Sequence, residues 1–389
     1  MKKRIFILTV IVIAQFLCTS LWFAGNGIIN DLISAFDLNE SSLANLTSSV
    51  QFGFLVGTLL FSLLNIADRF SPSIVFFFCA LAGALCNLGI IYSSNTFISL
   101  MALRFSTGFF LAGIYPVGMK IAADYFNKQL GKSLGFLVGA LVLGTSLPHL
   151  LTALKTSLPW ESVIAGTSIL AVLGGGAMLV LIPDGPFRKR TDKLHLNAIV
   201  DVFKNKSFRS AAFGYFGHMW ELYTFWVFIP LILKTYNTLH PESSFNISLW
   251  SFIIIAIGSL ACVVGGYLSL KWGEQKIATA ALLLSGICCL ISPTLFLFNE
   301  IWLFFLLLIW GFAVIMDSPL FSTLVAKNAP KEIKGTALTI VNCVGFSLTI
   351  VSIQTINFLS DYINIQYLFM FLVIGPVFAL LNSKKDSVY

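Results

Sequence analysis

Apolar runs of about 20 residues follow one another along almost the whole sequence, and they leave few folds open to it. Each run is long enough to cross the hydrocarbon core of a bilayer as an α-helix. The runs are continuously apolar rather than alternating, which favours helices over a β-barrel. The twelve predicted spans are approximately residues 5–30, 42–64, 73–92, 97–122, 132–154, 163–182, 210–235, 246–270, 276–297, 301–326, 335–358 and 363–382.

The composition excludes a soluble globular protein. The chain is 57% hydrophobic and 11% charged, whereas soluble domains are roughly 25% charged. The first residues, "MKKRIFILTVIVIAQFLCTS", resemble a signal peptide, but the apolar run continues through Trp22 and Phe23. We therefore expect a retained first span. The seven cysteines lie within spans and form no CxxC pair, so we expect no disulfide, metal site or cofactor.

Lysine and arginine positions predict the orientation of the chain in the membrane. With the N-terminus inside, 21 of the 24 basic residues fall in cytoplasmic segments. We therefore predict that both termini are cytoplasmic, in a multi-pass protein of the cytoplasmic (inner) membrane. The net charge of +7 then reflects this topology and contact with anionic lipid. No basic face is available to a duplex, so we expect no nucleic-acid partner, and we expect a monomer.

A basic polar segment, residues 184–209, divides the predicted spans into six and six. It is predicted to be a cytoplasmic linker between an N-terminal bundle, residues 1–183, and a C-terminal bundle, residues 210–389.

The two halves share a sequence pattern. "GFFLAGIYPVG" in span 4 places Gly108 and Pro116 at the same mutual spacing as Gly311 and Pro319 in "GFAVIMDSPLF" of span 10. Parallel six-span repeats of this kind are typical of transporters.

Three motifs resemble those of the major facilitator superfamily of secondary transporters. The loop "LLNIADRFSPS" keeps the Asp68–Arg69 pair, and its second-half copy "GGYLSLKWGEQK" keeps Lys271. Arg104 and Gly108 match the span-4 pattern RxxxG. The first loop lacks the usual glycines, and the second lacks the acid. The resemblance covers essentially the whole chain and implies that family's all-α membrane fold. That fold has twelve transmembrane helices in two pseudo-symmetric six-helix bundles.

The loop motif predicts a gate on the cytoplasmic side. A carboxylate at a helix end can bond to helix N-termini and arginines across the seam between the halves. Such contacts would exist only while that side is closed. We therefore take Asp68, Arg69 and Lys271 as gating candidates. The alternative is that Asp68 and Arg69 form a charge pair that only sets topology.

Few ionisable side chains lie deep inside the predicted spans, and each is a functional candidate because a charge in the bilayer is costly. They are Glu221, Asp317, Arg104, His149 and His218. His218 and Glu221 stand one helical turn apart in "GYFGHMWELYTFW". Together they could load and release a proton as access alternates, with Glu221 as the carrier. The alternative is a structural His–Glu hydrogen bond between helices.

A helical period of 100° per residue places one stripe on span 7. The stripe contains Gly214, Gly217, His218, Glu221 and Phe225. The family resemblance implies that span 7 lines the central cavity, so we expect this stripe to face it. The same resemblance favours span 1, with Trp22 and Asn26, as a source of site residues.

Arg104 offers a planar positive group suited to a carboxylate or phosphate. The alternative is a staple through backbone carbonyls. Single polar residues within spans are the remaining candidates for substrate or proton binding, although most such residues serve helix packing. They are Gln51, Tyr115, His149 and Gln354.

These features favour a proton-coupled secondary active transporter, a symporter of a small anionic organic solute that works by alternating access. An alternative is an exporter of drugs or siderophores in exchange for protons, since span 5 faintly resembles the glycine–proline motif of antiporters. A membrane-embedded enzyme using His218 and Glu221 is a distant alternative, because the chain has no HExxH motif and no clustered nucleophile. We therefore expect no enzymatic activity. A receptor role stays open.

The orientation generates a direct test. A reporter that is active only in the cytoplasm, fused after Tyr389, should be active, because the basic loops hold both chain ends on that side. The same reporter placed in the predicted external loop after Leu239 should be silent. An active loop fusion with a silent C-terminal fusion would reverse the predicted topology.

Overall fold

Twelve apolar helices account for the predicted spans. The structure, a computed structural model, describes residues 2–126, 130–155, 158–188, 202–330 and 333–383, and these contain no β-strand. Ten of the helices in these ranges are long and apolar enough to cross a membrane, and the first and last are shorter. They are α1 Arg4–Thr19, α2 Ser42–Leu63, α3 Pro72–Ile91, α4 Phe97–Tyr125, α5 Ser133–Leu154, α6 Glu161–Leu181, α7 Lys206–Leu239, α8 Ile247–Trp272, α9 Glu274–Phe296, α10 Glu300–Asn328, α11 Lys334–Leu359 and α12 Ile365–Leu381.

The all-helical membrane fold predicted from the apolar runs is confirmed. The middle of the predicted linker, residues 189–201, lies outside the described residues, as do Met1 and residues 384–389. The bundle boundaries therefore stay a prediction. One predicted span is shorter than expected, since α1 ends at Thr19 and a turn over residues 20–23 leads to the short helices Ala24–Gly27 and Ile29–Phe36.

α4 and α10 are both interrupted, at corresponding places in the two halves. Their segments are Phe97–Leu111 and Tyr115–Tyr125 in α4, and Glu300–Met316 and Ser318–Asn328 in α10. Pro116 and Pro319 lie in the first turn of the second segment. Proline lacks a backbone N–H, and the first turn is where a helix does not need that donor. The glycine and proline spacing predicted a repeat, and the structure shows it as a helix break at the same place in each half.

Equivalent glycines allow close helix crossings in each half. A Cβ atom added to Gly108 of α4 would lie 2.0 Å from the carbonyl oxygen of Val50 in α2. A Cβ added to Gly311 of α10 would lie 2.2 Å from the carbonyl oxygen of Ile254 in α8. Small residues let backbones in a membrane approach closely enough for such packing. The α2–α4 and α8–α10 pairs are therefore matching close crossings in the two halves.

Two helix pairs, α2–α11 and α5–α8, join the halves along a seam. Near the predicted external face, the side-chain amide of Gln354 in α11 donates to Ser48 Oγ at 2.9 Å and to Asn45 Oδ1 at 3.2 Å. Near the predicted cytoplasmic face, Ser62 Oγ and Thr339 Oγ1 lie 3.2 Å apart. Polar contacts therefore connect α2 and α11 at both ends.

The close crossings generate a stability prediction. Gly108→Ala and Gly311→Ala should each lower stability by about 1–3 kcal/mol, because the added methyl group forces the crossing helices apart. Thermal unfolding of the purified protein in detergent measures the effect. Gly176→Ala in α6 is the matched control, because a Cβ there meets no described atom within 4 Å. Equal melting temperatures for all three variants would contradict close helix crossings at Gly108 and Gly311.

Candidate functional site

Glu221 lies buried near the middle of α7, with 1% of its surface exposed. Three side chains from α9 and α10 donate to its carboxylate. Trp310 Nε1 lies 2.6 Å from Oε1, Ser285 Oγ lies 2.9 Å from Oε2, and Cys289 Sγ lies 3.3 Å from Oε1. Sequence reasoning missed these three donors, because nothing in the sequence marks them as partners of Glu221. The carboxyl group is thus satisfied by hydrogen bonds, with no cation among its described hydrogen-bond partners.

His218 lies one turn from Glu221, but its partner is Asp317. His218 Nδ1 and Asp317 Oδ1 lie 2.7 Å apart, and both side chains are buried. The predicted His218–Glu221 pair is therefore replaced by a contact between α7 and α10. Asp317 occupies the break in α10, where its backbone carbonyl accepts hydrogen bonds from the N–H groups of Leu320 and Phe321.

Glu221, His218 and Asp317 form what we term the acid cluster. The three side chains come from only two helices, α7 and α10. Within the described residues, no group of three His, Cys, Asp or Glu side chains has an arrangement that could hold a metal ion. The groups present suit proton binding and hydrogen bonding.

The predicted facing of the α7 stripe is wrong. A Cβ on Gly214 would meet the ring of Phe321 in α10, and one on Gly217 would meet the carbonyl oxygen of Gly375 in α12. Phe225 stacks on Trp310 with ring centroids 4.4 Å apart. The stripe therefore packs against helices of its own half. The helical period identifies which residues share a face, but it does not identify the neighbouring helix.

The seam between the halves is filled by an aromatic cluster. Trp22, at 0% exposure, has its ring centroid 4.8 Å from Phe54, 5.8 Å from Tyr223 and 5.8 Å from Phe346. Trp22 and Phe54 belong to the N-terminal half, and the other two to the C-terminal half. Phe23 and Trp226 also meet across the seam, at 6.3 Å. Trp22 was a predicted site residue, whereas Tyr223 and Phe346 were missed.

Several buried polar atoms, two of them in rings of this cluster, have no hydrogen-bond partner among the described residues. They are Nε1 of Trp22 and of Trp226, both amide atoms of Gln51, both amide atoms of Gln15, and Oγ1 of Thr58. Gln51 shares a face of α2 with Phe54, three residues away. Buried polar side chains in proteins are generally hydrogen-bonded. A polar solute or water at the seam could satisfy the indole N–H of Trp22 and of Trp226.

Arg104 of α4 is buried, at 1% exposure, beside the turn that follows α1. Its Nη1 donates to the carbonyl oxygen of Leu21 at 3.1 Å and to Asn87 Oδ1 at 3.4 Å, and its Nη2 donates to the carbonyl oxygen of Trp22. These contacts match the staple that the sequence left as an alternative. All three acceptors are neutral, so no carboxylate compensates the charge among the described hydrogen-bond partners of Arg104.

The gating candidates do not form the predicted contact across the seam. Asp68 Oδ1 lies 2.8 Å from Lys120 Nζ of α4 in its own half. Arg69 is exposed, and Lys271 lies over the ring of Trp272 at 5.1 Å from its centroid. Asp68 therefore pairs with a lysine of its own half in this structure, and the gating role of Asp68, Arg69 and Lys271 stays a prediction.

A polar pocket of about 300 Å³ lies between the halves at the predicted external face. It brings together the predicted residues Asn26 and His149. Asn26 Nδ2 donates to Thr47 Oγ1 at 2.8 Å, whereas the buried His149 Nε2 has no partner among the described residues. Tyr115 lies elsewhere, half-buried at the start of the second α4 segment.

Comparisons with known proteins agree with this arrangement. A sequence model described as Major Facilitator Superfamily matches residues 11–353. The human organic anion transporter MFSD10 (TETRAN) has a similar structure, with a TM-score of 0.70 and 17% sequence identity, over 97% of this chain and 98% of that chain. At that identity the likeness establishes the fold alone. A comparison with curated proteins gives no significant match.

The acid cluster generates a double-mutant prediction. His218→Gln and Asp317→Asn should show a coupling of about 1 kcal/mol or more in a stability cycle, because the two side chains are in contact. Thermal unfolding in detergent measures both single variants and the double variant. His218→Gln combined with Glu221→Gln is the control cycle and should show a smaller coupling. A larger coupling in the control cycle would restore Glu221 as the partner of His218.

Proposed function

Since the chain belongs to the major facilitator superfamily, we propose that it is a proton-coupled secondary transporter of a small anionic organic solute. In this proposal its halves alternate access across the cytoplasmic membrane, with both termini cytoplasmic and the protein working as a monomer. The observation that carries proton coupling is Glu221, a carboxyl group buried among three hydrogen-bond donors.

Proton binding at Glu221 follows from the energetics of buried charge. An ionised carboxylate at bilayer depth is costly, and protonation removes the charge. The three donors keep the ionised form satisfied while the proton is absent. Both forms can therefore exist in the same place, which a proton carrier requires. The His218–Asp317 contact between α7 and α10 lies one turn from Glu221, and in this proposal it tunes the proton carrier rather than replacing it.

In this proposal α7 couples the proton-binding site to the solute-binding site, because it carries residues of both. Glu221 lies on the side of α7 that faces α9 and α10, whereas Tyr223 and Trp226 lie on the side that faces the N-terminal half. A change of charge in the acid cluster alters the packing of α7 against the break in α10 at Asp317. α7 is one continuous helix from Lys206 to Leu239. A shift of α7 against α10 therefore also moves Tyr223 and Trp226 at the seam.

Arg104 supports an anionic solute through its field rather than through direct contact. Its hydrogen bonds go to neutral acceptors, so its positive charge stays available to an anion near Trp22. Charge interactions are strengthened where water is scarce. The similar structure of MFSD10, named an organic anion transporter, agrees with this substrate class.

Transport in proteoliposomes tests proton coupling. An imposed pH gradient should drive accumulation of radiolabelled phthalate, succinate or citrate by the wild type, reported also by a trapped pH-sensitive dye. Glu221→Gln fixes that group as neutral, so it should bind and exchange the same anion but fail to accumulate it against a gradient. Glu300→Gln, which changes a half-buried carboxylate at the start of α10, is the matched control and should behave as wild type.

Two outcomes would count against the proposal. Uphill accumulation by Glu221→Gln at the wild-type level would remove Glu221 as the proton carrier. Transport of the neutral amides succinamide or phthalamide in preference to the carboxylates would remove the anionic substrate class.

A further inference from the structure

We infer that the transported anion carries a flat aromatic ring beside its carboxylate groups, and that this ring binds between Trp22, Tyr223 and Phe346 at the seam. The inference rests on the proposed transport function and names its substrate class. It is carried by two observations, the ring geometry of the seam and the unpartnered polar atoms of Trp22 and of Gln51, which shares a face of α2 with Phe54.

Rings from both halves meet at the seam, and Trp22 stacks on two rings of the C-terminal half. Trp22 makes an angle of 26° with Tyr223 and 27° with Phe346. Phe54 and Phe346 also meet across the seam, with centroids 4.4 Å apart. Alternating access moves the halves apart at one face, so it separates Trp22 from Tyr223 and Phe346. The space that opens between them is bounded on both sides by aromatic faces.

A flat solute can occupy the space between the separated rings. Aromatic pairs prefer offset-stacked or edge-to-face arrangements and gain stability beyond the area they bury. A solute ring placed beside Trp22 provides such stacking when the protein rings move apart. An aliphatic ring of the same size fills the space but offers no π system. The seam therefore discriminates between rings of equal size by their planarity and π electrons.

The polar atoms beside the rings suit a carboxylate. The indole N–H of Trp22 and the side-chain amide of Gln51 are buried donors without a described partner. Packing alone would be served by phenylalanine and leucine, which leave no donor unsatisfied. Trp310, by contrast, uses its indole N–H on Glu221. A carboxylate at the seam would accept from Trp22 and Gln51 within the field of Arg104.

A matched pair of dianions tests the inference. Phthalate and cis-cyclohexane-1,2-dicarboxylate carry the same two carboxylates on six-membered rings, but only phthalate is flat. In wild-type proteoliposomes, phthalate should half-saturate proton-coupled uptake at a concentration about tenfold lower, because its ring stacks on one or two of these aromatic side chains. Ligand-induced thermal stabilisation of the detergent-purified protein provides an independent measure of binding.

Four variants test whether the preference for phthalate depends on the rings at the seam. Trp22→Leu should remove the preference for phthalate, whereas Trp22→Phe keeps a ring and should retain most of it. Gln51→Leu should weaken both dianions equally, because it removes a carboxylate donor and leaves the rings in place. Trp250→Leu is the control, since Trp250 stacks on Phe304 within the C-terminal half at a centroid distance of 3.5 Å, and it should keep the preference.

The outcomes separate the inference from the proposed function. Equal half-saturation by the two dianions, with proton flux for both, would overturn the aromatic inference and leave proton-coupled anion transport standing. A phthalate preference that survives Trp22→Leu would also overturn it. Absence of proton flux with phthalate, cyclohexanedicarboxylate, succinate and citrate alike would contradict the proposed function, and the inference would fall with it.

Discussion

The scarcity of water at bilayer depth determines where this chain can place charged side chains and which partners they need. Without water, each buried charge needs partners supplied by the protein. Glu221 obtains three side-chain donors, Asp317 obtains His218, and Arg104 obtains two backbone carbonyls and an amide oxygen. These partners come from different helices. The same contacts that satisfy the charges therefore fix α7 against α9 and α10, and fix α4 against the turn after α1.

Two of these three charged side chains lie at places where helices are interrupted. Arg104 bonds to carbonyls in the turn over residues 20–23, and Asp317 occupies the break in α10. Broken helices in membrane proteins are tolerated where neighbouring groups satisfy the freed backbone. The close glycine crossings at Gly108 and Gly311 keep the rest of each half tightly packed.

The sequence alone predicted the features that depend on local pattern. Apolar runs predicted the twelve helices, and the spacing of Gly108 and Pro116 predicted a repeat that the structure shows in both halves. Features that depend on which helices pack against each other were not predictable from the sequence. The period of α7 grouped Glu221 with His218 but could not show that the stripe faces α9, α10 and α12. The motif likewise could not show that Asp68 pairs with Lys120 of its own half. The donors to Glu221 come from two other helices, and no spacing links them to it.

The central claim is that Glu221 binds and releases the coupling proton. Infrared difference spectroscopy of the purified protein tests it most directly, because a protonated carboxyl group has its own C=O absorption and needs no identified substrate. A pH titration should show a C=O band of a buried protonated carboxyl group in the wild type and in Glu300→Gln that is missing from the titration of Glu221→Gln. Asp317→Asn should retain the band at a shifted midpoint. An unchanged band in Glu221→Gln would contradict the account and assign the proton to another group.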